Sequence, residues 1–275
     1  MEISRHFGWE RSNRSHFDDI VFNYDVIRPE YPTALFSDIF AYATAYDTNR
    51  KALEIGAGTG KATTPFLQAG YDVTAVEVGA GMTEFLWSKF HNNKHFNVIN
   101  SAFEDVVLDN DSYDLIYAGS AFHWVDAEIG CPKALNLLKS KGVIALFRYN
   151  EISITNEDLS EEIQRAYERY FHQPYIRSPK KERKSFNTTD RIIKDFGFAN
   201  LGSYGFIDVS MKLYDVARAY NADEFIAFRD TLADHRSLPD GDRAALYSAI
   251  NNAIQNHSNR LDLDYVFQLY MGRKP

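Results

Sequence analysis

Cysteine is nearly absent from this chain of 275 residues. The single Cys131 cannot close an internal disulfide or build a thiolate metal site. That usage fits a reducing compartment, and a cytoplasmic location is expected. Long apolar runs are also missing. None approaches the roughly 18 residues of a membrane span, and Met1 to Glu10 is polar and mixed in charge, unlike a signal peptide. Positive charge is in deficit: 30 Lys and Arg face 38 Asp and Glu, for a net charge of -8. A basic face for nucleic acid or anionic membrane is therefore not expected. Internal repeats and low-complexity tracts are lacking as well. What is plentiful is aromatic: 20 Phe and 17 Tyr. Most must fill core, and a surplus suits a pocket for an organic ligand. The length fits one large domain, or one domain with a sizeable insertion.

Periodicity divides the chain. Residues 1–30 are polar and aromatic and read as a loop or short helix. Pro32 can open a helix, and Thr33 to Tyr46 carries apolar residues at helical spacing. Strands are then predicted over Lys51 to Ile55, Tyr71 to Val78, Phe96 to Asn100, Tyr113 to Ala118 and Gly142 to Phe147. Helices alternate with them over Thr63 to Ala69, Met82 to Phe90 and Cys131 to Lys139. Such alternation indicates βαβ units, a parallel sheet and helices on both faces. Beyond Tyr149 the character changes. Helices are expected over Glu157 to Phe171, from Thr188 to near Gly197, Asp223 to His235 and Asp240 to His257, with Asp240 as a cap. Residues 172–187 read as a basic, proline-containing loop, Tyr204 to Leu213 as a strand, and Leu261 to Met271 as the last strand. The expected organisation is an N-terminal segment and first helix (1–45), a ligand-binding core (46–150), and a helical insertion with final strands completing the same sheet (151–275).

The most informative segment is Leu53-Glu54-Ile55-Gly56-Ala57-Gly58-Thr59-Gly60-Lys61. A strand leads in and a helix leads out, and the glycines let backbone approach a ligand closely. A dinucleotide fingerprint wants its third glycine one place later, where Lys61 stands. A phosphate-binding P-loop would need Gly-Lys followed by Ser or Thr, and here Ala62 follows. Glu77 ends the second predicted strand, about 20 residues past the loop, where an acid can accept hydrogen bonds from both ribose hydroxyls. The competing readings of Glu54 and Glu77 are solvated acids at strand ends. Ser101-Ala102-Phe103-Glu104 follows the third strand, and Ser120-Ala121-Phe122-His123-Trp124-Val125-Asp126 the fourth. In an open parallel sheet ligands bind beyond the carboxyl ends of the strands, and these segments all fall there.

The glycine spacing, with an acid just before it, resembles the first motif of class I S-adenosylmethionine (SAM) dependent methyltransferases. That resemblance implies a Rossmann-like α/β fold, a mostly parallel seven-stranded sheet with helices on both faces, and SAM as cofactor. SAM carries an ammonium and a sulfonium and no phosphate, so a nearby carboxylate is favourable. The resemblance sets Glu54 by the methionyl amino group, the backbone of Gly56, Ala57, Gly58 and Gly60 against the cofactor, Glu77 on its ribose, and Ser101, Ala102 and Phe103 beside the adenine. Many relatives have Asp where Ser101 stands, and Phe103 could pack on the ring instead. The His123-Trp124-Val125-Asp126 run is similar to the corresponding motif of small-molecule enzymes like trans-aconitate methyltransferase. The segment Tyr24-Asp25-Val26-Ile27-Arg28-Pro29-Glu30-Tyr31-Pro32 resembles that group's lid, in which Tyr24 and Arg28 would face the SAM carboxylate. The resemblance is specific over residues 20–149 and weaker beyond.

Methyl transfer from a sulfonium is an in-line displacement that needs alignment and water exclusion, with no metal. His123 is the best placed base where an acceptor must lose a proton, although it could equally shape the cofactor pocket. Ser120 and Trp124 would line that pocket, Trp124 against adenine or acceptor. Tyr149, Tyr170, Tyr175 and Arg177 are possible acceptor liners. Arg148, Arg177 and Arg236 could pair with an acidic acceptor, or simply make ion pairs of the fold. The partner expected is a small methyl acceptor. The alternatives are a nicotinamide-linked oxidoreductase on a similar sheet, which Lys61 and Glu54 oppose, and a non-catalytic SAM-binding protein.

Overall fold

The computed structural model describes residues 25–43, 50–171 and 200–275. The centre of the sheet is built from the apolar runs. β1 (Lys51–Ile55) buries four of its five residues, and β4 (Tyr113–Gly119) buries five of seven. Strands covered on both faces lose the alternation of half-buried ones and read as continuous apolar sequence. β2 (Asp72–Glu77) and β3 (Phe96–Asn100) continue the sheet on one side of β1, each parallel to its neighbour. β4 returns to the other side of β1, and β5 (Leu138–Ile154) lies parallel beyond it. With β6 (Ile207–Tyr220) and β7 (Leu261–Arg273), the order is β3-β2-β1-β4-β5-β7-β6. Strand order reverses between β1 and β4, the place where such sheets bind ligands.

The helices are α1 (Thr33–Tyr42), α2 (Thr63–Gln68), α3 (Ala80–Phe90), α4 (Ala127–Leu137), α5 (Glu157–Tyr170), α6 (Ala222–Asp230), α7 (Ala233–Arg236) and α8 (Asp240–Asn256). Among the described residues no helix is long and apolar enough to cross a membrane.

The chain divides into two compact units, and three of the boundaries between them fall inside the long strands β5, β6 and β7. The larger holds residues 30–149, 188–214 and 267–275. Its core gathers Leu53, Ile55, Val76, Ile116, Leu146 and Tyr270. The smaller holds residues 1–29, 150–187 and 215–266. There α8 packs on α5 and α6, burying Leu159, Ile163, Phe225, Phe228, Leu246 and Ile250. Asn156 caps α5, and Asn221 with Glu224 forms a capping box on α6. Arg229 grips Glu151 through two nitrogens at 2.8 and 2.6 Å, and the Tyr220 and Tyr265 hydroxyls meet at 2.7 Å.

Several sequence expectations are corrected. β5 runs to Ile154, so Arg148 and Tyr149 lie within it and not after its end. β6 begins at Ile207 and extends to Tyr220; Lys212, Asp215 and Arg218 hide its alternation in a simple hydropathy reading. The helix expected over Asp223 to His235 stops at Asp230, where the Thr231 hydroxyl folds back on the Phe228 carbonyl at 2.6 Å, and a separate turn follows. Pro239, and not Asp240, occupies the N-cap of α8; Asp240 is the first helical residue and pairs with Arg243 at 2.7 Å. The loop expected over 172–187 and the helix from Thr188 lie outside the described residues, as do Tyr24, Tyr175 and Arg177.

Candidate active site

The glycine loop turns sharply at the tip of β1. Gly56, Gly58 and Gly60 all have positive φ, at 66°, 56° and 81°, a region costly for residues with a Cβ. Space matters as much as torsion. A Cβ on Gly56 would lie 2.5 Å from Cβ of Ala121, and one on Gly60 would lie 2.5 Å from the Phe90 ring. The first contact fixes the loop against the segment after β4, and the second against α3.

Glu77 joins the loop to the next strand. One carboxylate oxygen accepts the Gly58 N–H at 2.8 Å, and the other accepts the Gly79 N–H at 2.8 Å. The Glu77 carbonyl accepts the Ser101 N–H at 3.0 Å and the Asn100 side-chain amide at 2.9 Å. The tips of β1, β2 and β3 are thus tied together at one acid, itself 7% exposed. Two backbone donors hold its orientation, and a carboxylate has further lone pairs for other partners. Ser101 turns its hydroxyl to the Ala102 carbonyl at 3.0 Å, and that carbonyl also accepts the Asp105 and Val106 N–H groups. Phe103 is 3% exposed and belongs to the core with Val76 and Phe122, so its part in the described structure is packing, with Lys133 over its ring.

Glu54 is enclosed within β1 and is not the solvated strand-end acid of the competing reading. It is 1% exposed and accepts the Thr63 hydroxyl at 2.6 Å and the Tyr117 hydroxyl at 3.0 Å. Strand pairing explains the second bond, because Glu54 and Tyr117 are partners in the parallel register of β1 and β4. Burial pushes its carboxyl up to about 8; the two hydroxyls oppose that shift and the charge of Glu77 adds to it.

After β4 the chain makes a tight corner. Ser120 adopts φ 53°, unusual for a residue with a side chain. Its hydroxyl accepts the Tyr31 hydroxyl at 3.2 Å. Tyr31 packs edge-on against Phe147 and Phe36, and next to it Glu30 pairs with Lys61 of the glycine loop. Phe122, His123 and Trp124 form one turn of 3-10 helix, with the His123 and Trp124 rings 5.5 Å apart. Asp126 of the same run is the N-cap of α4, accepting the Glu128 N–H at 3.0 Å.

The structure therefore brings together Gly56, Ala57, Gly58, Gly60, Glu77, Ser101, Ala102 and Ser120 at adjacent strand tips of the larger unit. Arg28 belongs to the smaller unit, where its guanidinium donates to the Thr231 carbonyl and lies over the Phe228 ring. Arg236 pairs with Asp230 at 3.3 Å, so its ion-pair reading holds. Sequence reasoning missed Thr63, Tyr117, Gly79 and Asn100, and gave Tyr31 of the lid-like segment no role of its own. The Tyr117 hydroxyl inside the apolar run Leu115 to Ala118 was the one available signal, since a buried acid on β1 needs a partner from a neighbouring strand.

The same stretch is found in other proteins. Residues 53–146 match the family model of a methyltransferase domain. The match lies inside the expected core and spans β1 to β5. A Mycobacterium bovis protein named as an uncharacterized methyltransferase is 31% identical over 130 residues, 47% of this chain and 50% of that one. A Schizosaccharomyces pombe uncharacterized methyltransferase is 22% identical over 264 residues, covering 94% of this chain and 96% of its own. The match thus spans about half the length of the first of these relatives. Among solved structures, Haemonchus contortus phosphoethanolamine N-methyltransferase 2 with S-adenosyl-L-methionine superposes with a TM-score of 0.53 at 15% identity, covering 95% of this chain and 60% of that one. The seven strands of this chain, in one mostly parallel sheet, have the fold of that solved structure, the class I methyltransferase fold.

Proposed function

We propose that the protein transfers the methyl group of SAM to a small-molecule acceptor. The observation that carries this reading is the pair of hydrogen bonds from the Gly58 and Gly79 N–H groups to Glu77. They make the glycine loop and the ribose-type acid one structural unit within the methyltransferase domain. The residues present suit the cofactor's chemistry. The glycine loop turns at Gly56, Gly58 and Gly60 in conformations that bring backbone to the strand tips, and two carboxyls, Glu54 and Glu77, suit a cationic nucleoside better than an anionic pyrophosphate.

When bound, SAM supplies a methyl group already activated by its sulfonium. The chain's own task is to hold, align and exclude water. We assign the loop backbone from Gly56 to Gly60 to close contact, Glu77 to the ribose hydroxyls, and Ser101 with Ala102 to the adenine side. Ser120 and Trp124 are assigned to the pocket wall, Glu54 to the amino group, and Tyr24 and Arg28 to the carboxylate. His123 is the residue we assign to proton removal where the acceptor must lose one. Within the class we place the chain with the trans-aconitate methyltransferase-like group, on the His123-Trp124-Val125-Asp126 run.

A titration with S-adenosylhomocysteine tests the reading. Micromolar-range binding is expected, with Gly58→Val weakening it sharply. Saturable binding of NADH by folded protein, with no response to either sulfur nucleoside, would replace this reading with a nicotinamide-linked one.

A further inference from the structure

Glu54 is a buried acid of the larger unit that the described residues leave without a cation. Its hydrogen-bond partners are two hydroxyls, Thr63 from α2 and Tyr117 from β4. The ionised group that bears on it is another carboxylate, Glu77 from β2, while Tyr117 is itself held far above its ordinary range by burial and by Glu54. The lysines of the glycine loop and of α3 have partners of their own: Lys61 pairs with Glu30, and Lys89 donates to the Thr59 carbonyl at 2.9 Å. Two other acids of the same unit are matched by lysines within the fold. Asp114 meets Lys139 at 2.9 Å and Asp38 meets Lys212 at 2.6 Å.

A buried carboxylate with no countercharge is expensive, and the usual escape is protonation. Hydroxyl partners accommodate either state, because each can donate to an ionised oxygen or accept from a protonated one. The ligand of the proposed function changes this balance by bringing an ammonium.

We infer that cofactor binding expels a proton from Glu54, whose carboxyl is neutral in the free protein and ionises when the cofactor's amino group docks beside it. The inference rests on the cofactor reading given above. The O–H bond of the carboxyl breaks, the electron pair stays on oxygen, and the proton leaves to solvent. The arriving ammonium keeps its charge. Cofactor affinity then rises with pH up to the point where free Glu54 ionises by itself.

Calorimetry at pH 7 in two buffers of different ionisation enthalpy tests this. Binding of S-adenosylhomocysteine should release about one proton, read from the dependence of heat on buffer. Glu54→Gln should bind more weakly and show no buffer dependence. Normal heat without buffer dependence in the wild type, or the same dependence in Glu54→Gln, overturns the inference. Absence of heat from folded protein in every buffer instead overturns the cofactor reading. Infrared spectroscopy then addresses Glu54 directly: the free wild type at pH 7 should show a protonated-carboxyl C=O band that Glu54→Gln lacks. No such band would also overturn the inference.

Discussion

Two glutamates, Glu54 of the larger unit and Glu151 of the smaller, show two ways of enclosing an acid. Glu151, in the smaller unit, is held by Arg229 through two short hydrogen bonds, and Arg229 lies over the Phe225 and Phe228 rings. Glu54, in the larger unit, is more deeply buried, yet among the described residues its hydrogen bonds come from hydroxyls. A paired acid is part of the fold's own balance. An acid enclosed without a countercharge is a defect for stability alone, and it becomes explicable when the missing cation belongs to a ligand. The smaller unit also keeps an enclosed imidazole uncharged: burial and the nearby Arg229 and Arg243 hold His235 well below its ordinary range, with its Nε2 3.1 Å from the Tyr167 hydroxyl.

That contrast can be broken first at Glu151. Glu151→Ala strands Arg229, which is 9% exposed, without this partner. A loss of about 3 kcal/mol is expected in urea unfolding, since removing one member of a buried pair leaves an uncompensated charge. Glu54→Gln should behave oppositely, changing stability at pH 6 by less than about 1 kcal/mol, because the neutral acid it replaces has the same shape. Next in size is Glu77→Ala. It removes a charged acceptor, and a loss of roughly 1.5–3 kcal/mol in cofactor binding is expected by calorimetry. The smallest change sharpens the account of Glu77. Gly79→Pro deletes a single N–H donor at φ -73°, which proline tolerates. Cofactor affinity should fall by a factor of about 5, as one hydrogen bond is worth about 1 kcal/mol, while Gly79→Ala, which keeps the N–H, should bind as the wild type does.

The contrast also has a pH signature. The folded pKa of Glu54, about 8, lies above the ordinary 4.5. Between those values the folded state holds more protons than the unfolded one, so this group's contribution to stability is complete below about 4.5 and is lost as pH rises through about 8. The thermal midpoint of the ligand-free wild type should therefore fall between about pH 5 and about pH 8.5 more steeply than that of Glu54→Gln.

Much of this was legible in the sequence. Five runs alternating with helices marked out the parallel half of the sheet, most plainly at β1 and β4, because strands buried on both faces write themselves as apolar sequence. The strand tips carried the glycines and Glu77. The later strands were less legible. β6 is only partly covered, so charged residues interrupt it, and β5 outruns its apolar segment by several polar positions. The partners of Glu54 were hidden for a different reason: Tyr117 is 63 residues away and becomes a neighbour only through strand order. Asp126 looked like part of a binding motif, and the structure gives it a capping bond, a local role that a motif does not disclose.

The central claim is that loop and acid form one nucleoside site. Its most direct test is a parallel titration of SAM, S-adenosylhomocysteine and NADH into the wild type and Glu77→Ala. The account predicts saturable binding of both sulfur nucleosides, clear weakening of each in the variant, and no saturation with NADH. Equal affinity in wild type and variant, or saturation by NADH alone, would contradict it.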